Sequence, residues 1–405
     1  MRYPKARLSL LMFIQFFIWG ATGPVLSLYL KDCLGFSGAQ VGLVLGLSGI
    51  GSIVSPTLMT FIADRIISSE RLLCLLNALG GVFMLFFARQ TEFYPTLLVY
   101  FIYCMVMHPA VPLINAITFH HAPTDRRKFG NIRVWGTLGW IAVAWVFSFL
   151  VMGDRSLSDN GASPLPLVLK ISAVTSFIMA AYSLTIPVKK ITSDGDYGKK
   201  RAFFPMEAFR VVFKPQVLAI SLIAAALTIA DKFYSLGTAP FLKQSGFAEK
   251  DIMPAMTLGQ VPEIAAMGIL GFLLKRWGPK AVLAIGVGIG IFRFAACAVG
   301  SSRALIYAGL SVHGLVYTFT MITAVICLDS FCGDRDRSGV HQLFAVLTGG
   351  IGGFLGNYAA GLTADRFTDS SGFVNYGAYW SVPLALSVII LGSVFMLRNP
   401  EQNAL

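Results

Sequence analysis

The sequence predicts an all-α polytopic membrane protein with twelve transmembrane helices in two six-helix bundles. Three observations carry that prediction. Hydrophobic residues make up 56% of the 405 positions and charged residues only 13%, with a mean hydropathy of +0.70, whereas a water-soluble domain carries about 25% charge. Apolar runs of roughly 20 residues, the length that crosses a bilayer, recur along the whole chain. The basic residues fall in alternate loops between those runs.

The first run covers about 8–30 and follows Arg2, Lys5 and Arg7. That start imitates a signal peptide, but the run is too long for an h-region and lacks a cleavage site, so it reads as an uncleaved spanning helix. The remaining helices are expected near 39–63, 72–90, 94–119, 131–152, 166–187, 216–242, 252–274, 281–300, 303–328, 339–363 and 376–397. Helix two contains Gly46, Gly49, Gly51 and Pro56, which membrane helices tolerate because neighbours satisfy the freed backbone groups. The run Gly349–Gly350–Ile351–Gly352–Gly353 in helix eleven predicts close helix–helix contact.

Cation placement sets the expected topology. With the N-terminus in the cytoplasm, 21 of the 32 Lys and Arg residues lie on the cytoplasmic side. Seven lie in outer loops (Lys31, Arg89, Arg155, Lys243, Lys250, Arg303 and Arg366), and four lie within helices (Arg133, Lys170, Lys232 and Arg293). This asymmetry predicts both termini inside and an even helix count. The net charge of +12 is thereby assigned to orientation, and no nucleic-acid partner is expected.

A basic polar stretch, 188–205, separates helices six and seven. The expected organisation is therefore a bundle over 1–187, a cytoplasmic linker over 188–215 and a second bundle over 216–405. Six helices, a basic linker and six more helices resemble the plan of the major facilitator superfamily. That superfamily carries G-x-x-x-D-R-x-G-x-[KR] between helices two and three, often echoed between eight and nine. Here the first loop keeps Asp64-Arg65, and the second keeps Gly271 and Lys275-Arg276-x-Gly278-x-Lys280.

An ionisable group at membrane depth faces a cavity or a partner. Those nearest helix centres are Arg133, Asp231, Lys232, Glu263, Arg293 and His313. Glu263 and Arg293 each sit about twelve residues into their helices, about 18 Å along the axis. A carboxylate facing a guanidinium there is either a fixed pair or one that opens on protonation. Asp231 and Lys232 are adjacent and diverge by about 100°. Lys170 is close enough to a helix end to reach the interface. Trp140 follows Arg133 by two helical turns on one face, Gln15 and Trp19 share a face, Gln260 precedes Glu263 by three residues, and Asn115 adds an amide to helix four. Each of these also has a plain packing explanation. The six cysteines form no C-x-x-C pair, so no metal site, disulfide framework or cofactor is expected. No nucleophile–base constellation marks an enzyme, and no soluble signalling domain marks a receptor.

Short pieces recurring in order resemble the bacterial nucleoside:proton symporters of that superfamily. They are Q-F-F-I-W-G at 15–20, P-L-I-N-A-I at 112–117, I-R-V-W-G-T-L-G-W-I at 132–141, Q-V-P-E at 260–263, F-R-F at 292–294 and H-G-x-x-Y at 313–317. The resemblance implies a nucleoside site using Arg133, Thr137, Trp140, Gln260 and Glu263, with Thr228 and Asp231 where amides are usual on helix seven. Gln15, Asn115 and Tyr317 are further substrate-binding candidates. Helix ten departs from the family's Y-D-F-F, reading Tyr317-Thr318-Phe319. The Asp implied to bind ribose or carry the proton is lost, and Asp231 is placed to compensate. The same positions also resemble the lactose-permease branch, through Arg133 and Trp140 seven apart and Arg293 and His313 twenty apart. That branch's proton-carrying Glu is Val316 here.

The expected function is proton-coupled nucleoside uptake across the cell inner membrane by alternating access. Sugar or oligosaccharide symport, or uncoupled facilitation, is the alternative. Arg133, Trp140, Gln260 and Glu263 are expected to line one central cavity. Glu263 is the first candidate for proton coupling, with Arg293 or His313 as its charge partner, and Asp231 follows. The expected partners are a small-molecule substrate, protons and the lipid bilayer, and the protein is expected to be a monomer.

Overall fold

The computed structural model describes residues 4–65, 67–121, 126–151, 163–187, 206–333 and 337–397. The described residues are helical apart from turns and one isolated bridge between Thr368 and Val374. The spans are α1 (Lys5–Cys33), α2 (Gly38–Arg65), α3 (Ser69–Phe87), α4 (Phe93–Phe119), α5 (Phe129–Phe149), α6 (Leu165–Ser183) and α7 (Pro215–Gln244). The apolar stretch Glu249–Val299 holds α8 (249–277) and α9 (279–299), and α10 (Arg303–Ser330), α11 (Gly339–Arg366) and α12 (Tyr376–Met396) complete the set. A short helix, Met206–Val212, precedes α7. The predicted linker over 188–205 lies outside the described residues.

The division between α8 and α9 rests on one residue. Gly278 has φ 77° and ψ 162° inside an otherwise helical run, a conformation that suits a residue without Cβ. Glu263 packs on Gly314, and later residues of α8 share a cluster with Phe319 and Leu315. On α9 the order reverses: Gly286 meets Phe319 and Gly290 meets Val316. The two helices therefore run in opposite directions along α10. Lys280, just past the turn, donates from Nζ to the Phe395 and Leu397 carbonyls at 2.8 and 2.7 Å. It thus satisfies orphan carbonyls at the end of α12.

Prolines break several spans. A proline removes one N–H and crowds the carbonyl four residues earlier. Pro112 acts on His108, where α4 divides into Phe93–Met107 and Ala110–His121. Pro262 acts on Leu258, where α8 opens between Thr257 and Gln260. In α1, helix Pro4–Thr22 ends just before Gly23–Pro24. Wide π turns occur at Phe147–Val151, Thr318–Ile322 and Val346–Gly352, a feature frequent at functional sites.

The chain forms two compact units. The first comprises 1–36, 50–201 and 249–254; in it α1 packs along α5 and α6, and α3 along α4 and α6. The second comprises 37–49, 202–248 and 255–405; in it α7 packs on α11 and α12, and α9 on α10 and α12. Helix α2 is shared, its first turns grouping with the second unit. Large apolar side chains such as Phe149, Phe272, Ile389 and Phe395 are more than 60% exposed. Lipid accepts that surface without polar cover, which accounts for the missing charge.

Candidate functional site

In the first unit, α1 and α5 meet through glycine. A Cβ on Gly20 would lie 2.9 Å from the Trp140 Cα, and one on Gly23 2.8 Å from the Trp140 ring. Gly139 is likewise pressed on the Phe13 backbone. These contacts seat the Trp140 indole on α1 and leave it half-buried. Arg133 lies with its guanidinium carbon 4.1 Å from the Phe16 ring centroid, a cation–π contact. Gly136 leaves the room: a Cβ there would lie 2.8 Å from both Arg133 and Phe16. Arg133, Thr137 and Trp140 are all half-buried on one face of α5. Trp19 faces the His108 ring at the α4 break, with centroids 5.8 Å apart. Gln15 is fully buried, and neither amide atom has a hydrogen-bond partner among the described residues. Asn115 Oδ1 is in the same position.

The second unit holds a buried ionic cluster built by three helices. Arg293 of α9 donates from Nη1 to His313 Nδ1 at 2.7 Å and to Asp231 Oδ1 at 3.3 Å. His313 Nδ1 is 3.8 Å from the same carboxylate oxygen. The Arg293 side chain is 2% exposed and that of Asp231 38%, so the cation is sealed and the carboxylate is open on one side. The guanidinium lies 4.5 Å from the ring centroids of both Tyr234 and Phe294. Tyr234, three residues after Asp231, stacks on the His313 ring at 4.5 Å and 11°. Accepting from Arg293 commits Nδ1 to its lone pair, so His313 is neutral here and carries its proton on Nε2. A proton arriving at Nδ1 would break that bond.

The break in α8 places the Q-V-P-E motif. Gln260 opens the second segment, and with its amide nitrogen turned toward the helix it donates to the Thr257 carbonyl at 2.8 Å. Glu263 is half-buried. Its Cβ packs where a Gly314 side chain would start, so only glycine next to His313 lets α8 approach α10 here. Thr318, at the position of the lost family Asp, starts the π turn of α10 and is fully buried, and its hydroxyl has no hydrogen-bond partner among the described residues. Tyr317 is 46% exposed. Thr228 donates to the Ala224 carbonyl at 2.9 Å.

The structure thus gathers Arg133, Thr137 and Trp140, and separately Asp231, Arg293 and His313. The carboxylate beside Arg293 is that of Asp231. Glu263 packs on Gly314, and α7 supplies the acid that Arg293 binds. The divergence of Asp231 and Lys232 is observed, since Lys232 packs along Gly353 and Gly356 of α11. Lys170 is exposed. Phe16 and Tyr234 escaped the sequence reading. Phe16 adjoins Gln15 in a quoted motif, and Tyr234 follows Asp231 at helical spacing, which is the available signal for each.

The helices and their buried polar clusters build a polytopic membrane protein of the major facilitator superfamily fold, and its family is one of transporters, not enzymes. More narrowly, the chain belongs to the nucleoside H+ symporter family, whose model matches residues 3–403. Among its relatives, YegT of Escherichia coli (strain K12) is 30% identical, covering 98% of this chain and 94% of its own. The xanthosine permease of the same strain is 27% identical, covering 98% and 97%. The crystal structure of the nucleoside transporter NupG matches with a TM-score of 0.85 at 24% identity, covering 98% of this chain and 99% of that one; it supports the fold. The protein is therefore a multi-pass membrane transporter.

Proposed function

We propose that the protein takes up nucleosides across the cell inner membrane, driven by the proton gradient, with both termini in the cytoplasm and one chain as the working unit. The observation that carries the nucleoside reading is the half-buried face of α5, where Arg133 and Trp140 stand two turns apart beside Phe16. A guanidinium and an aromatic face together suit a planar base bearing polar edges: the ring stacks and the edge accepts hydrogen bonds. Thr137, Gln260, Glu263, Thr228 and Tyr317 add donors and acceptors for a sugar. Gln15 and Asn115 bring buried amide atoms with hydrogen-bonding capacity to spare.

Coupling falls to the cluster of Asp231, Arg293 and His313. Asp231 is a carboxylate open on one side and attached to a sealed cation. Protonating it removes the counter-charge of Arg293, and the cluster then has to rearrange. That is the bistable element a proton-driven carrier needs. Glu263, in the Q-V-P-E stretch whose resemblance implies a substrate role, is assigned to the substrate. The test is a thermal-shift panel on purified protein: nucleosides should stabilise it and disaccharides should not. Sugar symport stands as the second reading because Arg293 and His313 are in contact. Stabilisation by disaccharides alone would select it.

A further inference from the structure

The first turn of α2 is capped by a residue from the other end of the chain. Ser37 and Gln40 form a capping box: Gln40 N donates to Ser37 Oγ at 3.2 Å, and Ser37 N donates to Gln40 Oε1 at 3.0 Å. Two N–H groups of that turn are left over, those of Gly38 and Ala39. Both donate to the carboxylate of Asp365 in the last turn of α11, at 2.5 and 2.7 Å. The carboxylate faces the positive end of a 28-residue helix.

Glycine makes the contact possible. Gly361, one turn before Asp365, abuts the Gly38 carbonyl, and a Cβ on Gly38 would in turn fall on the Gly361 carbonyl. The stripe continues down the pair: Gly42 lies against the Asn357 carbonyl, Gly46 against Phe354, and Gly49 against the Gly350 carbonyl. A Cβ at Gly42 or Gly49 would meet backbone, which cannot swing aside. The contact is also local to one end of α2. Residues 37–49 group with α11, while the rest of the helix groups with the first unit.

We propose that Asp365 is a latch that holds the outer ends of α2 and α11 together, and that its release accompanies opening of the carrier to the outside. The outer assignment rests on the orientation proposed above. When α2 and α11 part, the Gly38 and Ala39 N–H groups lose a charged acceptor and exchange it for water. The carboxylate therefore biases the carrier toward the outer-closed state without touching substrate.

The test uses the full chain with its native cysteines replaced. Spin labels at Thr91→Cys and Ser370→Cys report the outer side, and labels at Ser68→Cys and Gly333→Cys report the inner side. Asp365→Ala should raise the outer-open to outer-closed ratio about tenfold. Asp365→Asn, which keeps the shape and one acceptor, should raise it about threefold, and Asp365→Glu should restore it. An unchanged outer ratio in a folded Asp365→Asn protein would overturn the latch, as would equal broadening of both distances. This readout needs no substrate, so it stands or falls apart from the nucleoside reading. Orientation is checked with a membrane-impermeant maleimide on Ser370→Cys. Labelling in intact cells supports the outer assignment, and labelling only after permeabilisation overturns it.

Discussion

Removing the Asp231 carboxylate should reveal what the buried cluster does. Among the described residues Arg293 has one anionic partner, and its side chain is 2% exposed. Deleting one member of a fully buried ion pair costs about 3–5 kcal/mol, because the other charge is stranded. Here Asp231 is 38% open and its bond to Nη1 is long, at 3.3 Å. Screening on the open side lowers the expected cost to about 2 kcal/mol. His313 and the two flanking rings still hold the guanidinium, so Asp231→Ala should fold but melt earlier in detergent. The double variant Asp231→Ala/Arg293→Met removes both charges and should recover most of the loss. A double-mutant cycle should return a coupling energy well above the ~0.5 kcal/mol scatter of independent sites. In proteoliposomes, Asp231→Asn should lose gradient-driven accumulation and keep substrate exchange. A coupling energy near zero together with full accumulation by Asp231→Asn would mean that the pair neither stabilises the fold nor carries the proton.

Three further outcomes follow from the geometry. Trp140→Ala should remove base stacking worth ~1–3 kcal/mol and weaken nucleoside affinity roughly ten- to hundredfold, read by binding to purified protein. Glu263→Gln should raise the nucleoside concentration needed for half-maximal uptake while leaving the pH-gradient dependence in place; the opposite split would return coupling to Glu263. Gly314→Val forces a side chain onto Glu263 and the Gly259 carbonyl. Overpacking of that kind costs about 1–3 kcal/mol, so the variant should melt earlier and transport poorly even when it reaches the membrane.

The helices were legible in the sequence because lipid dictates both their length and their apolarity. The sharp reversal at Gly278 was legible too, since basic residues Lys275, Arg276 and Lys280 surround it. The breaks at His108 and Leu258 were not placed, because a proline such as Pro112 or Pro262 leaves the hydropathy of a run unchanged. Depth along a helix can be counted, so Glu263, Arg293 and His313 read as polar groups at membrane depth. The rotation of one helix about its axis relative to another could not be counted. That is why depth alone does not single out Asp231 as the acid that holds Arg293. For the same reason the Phe16 and Tyr234 rings, which complete the two cation sites, went unread. The cap on α2 lies beyond any local pattern, since Gly38 and Asp365 are 327 residues apart.

The most direct measurement is accumulation of a labelled nucleoside in proteoliposomes, with the outside made more acidic than the lumen. Vesicles without a gradient and vesicles offered a labelled disaccharide run in parallel. Nucleoside should accumulate above equilibrium only when the gradient is imposed, a protonophore should abolish that accumulation, and the disaccharide should not accumulate. Nucleoside uptake that merely equilibrates, indifferent to the gradient, would contradict proton coupling, and accumulation of the disaccharide instead would contradict the substrate.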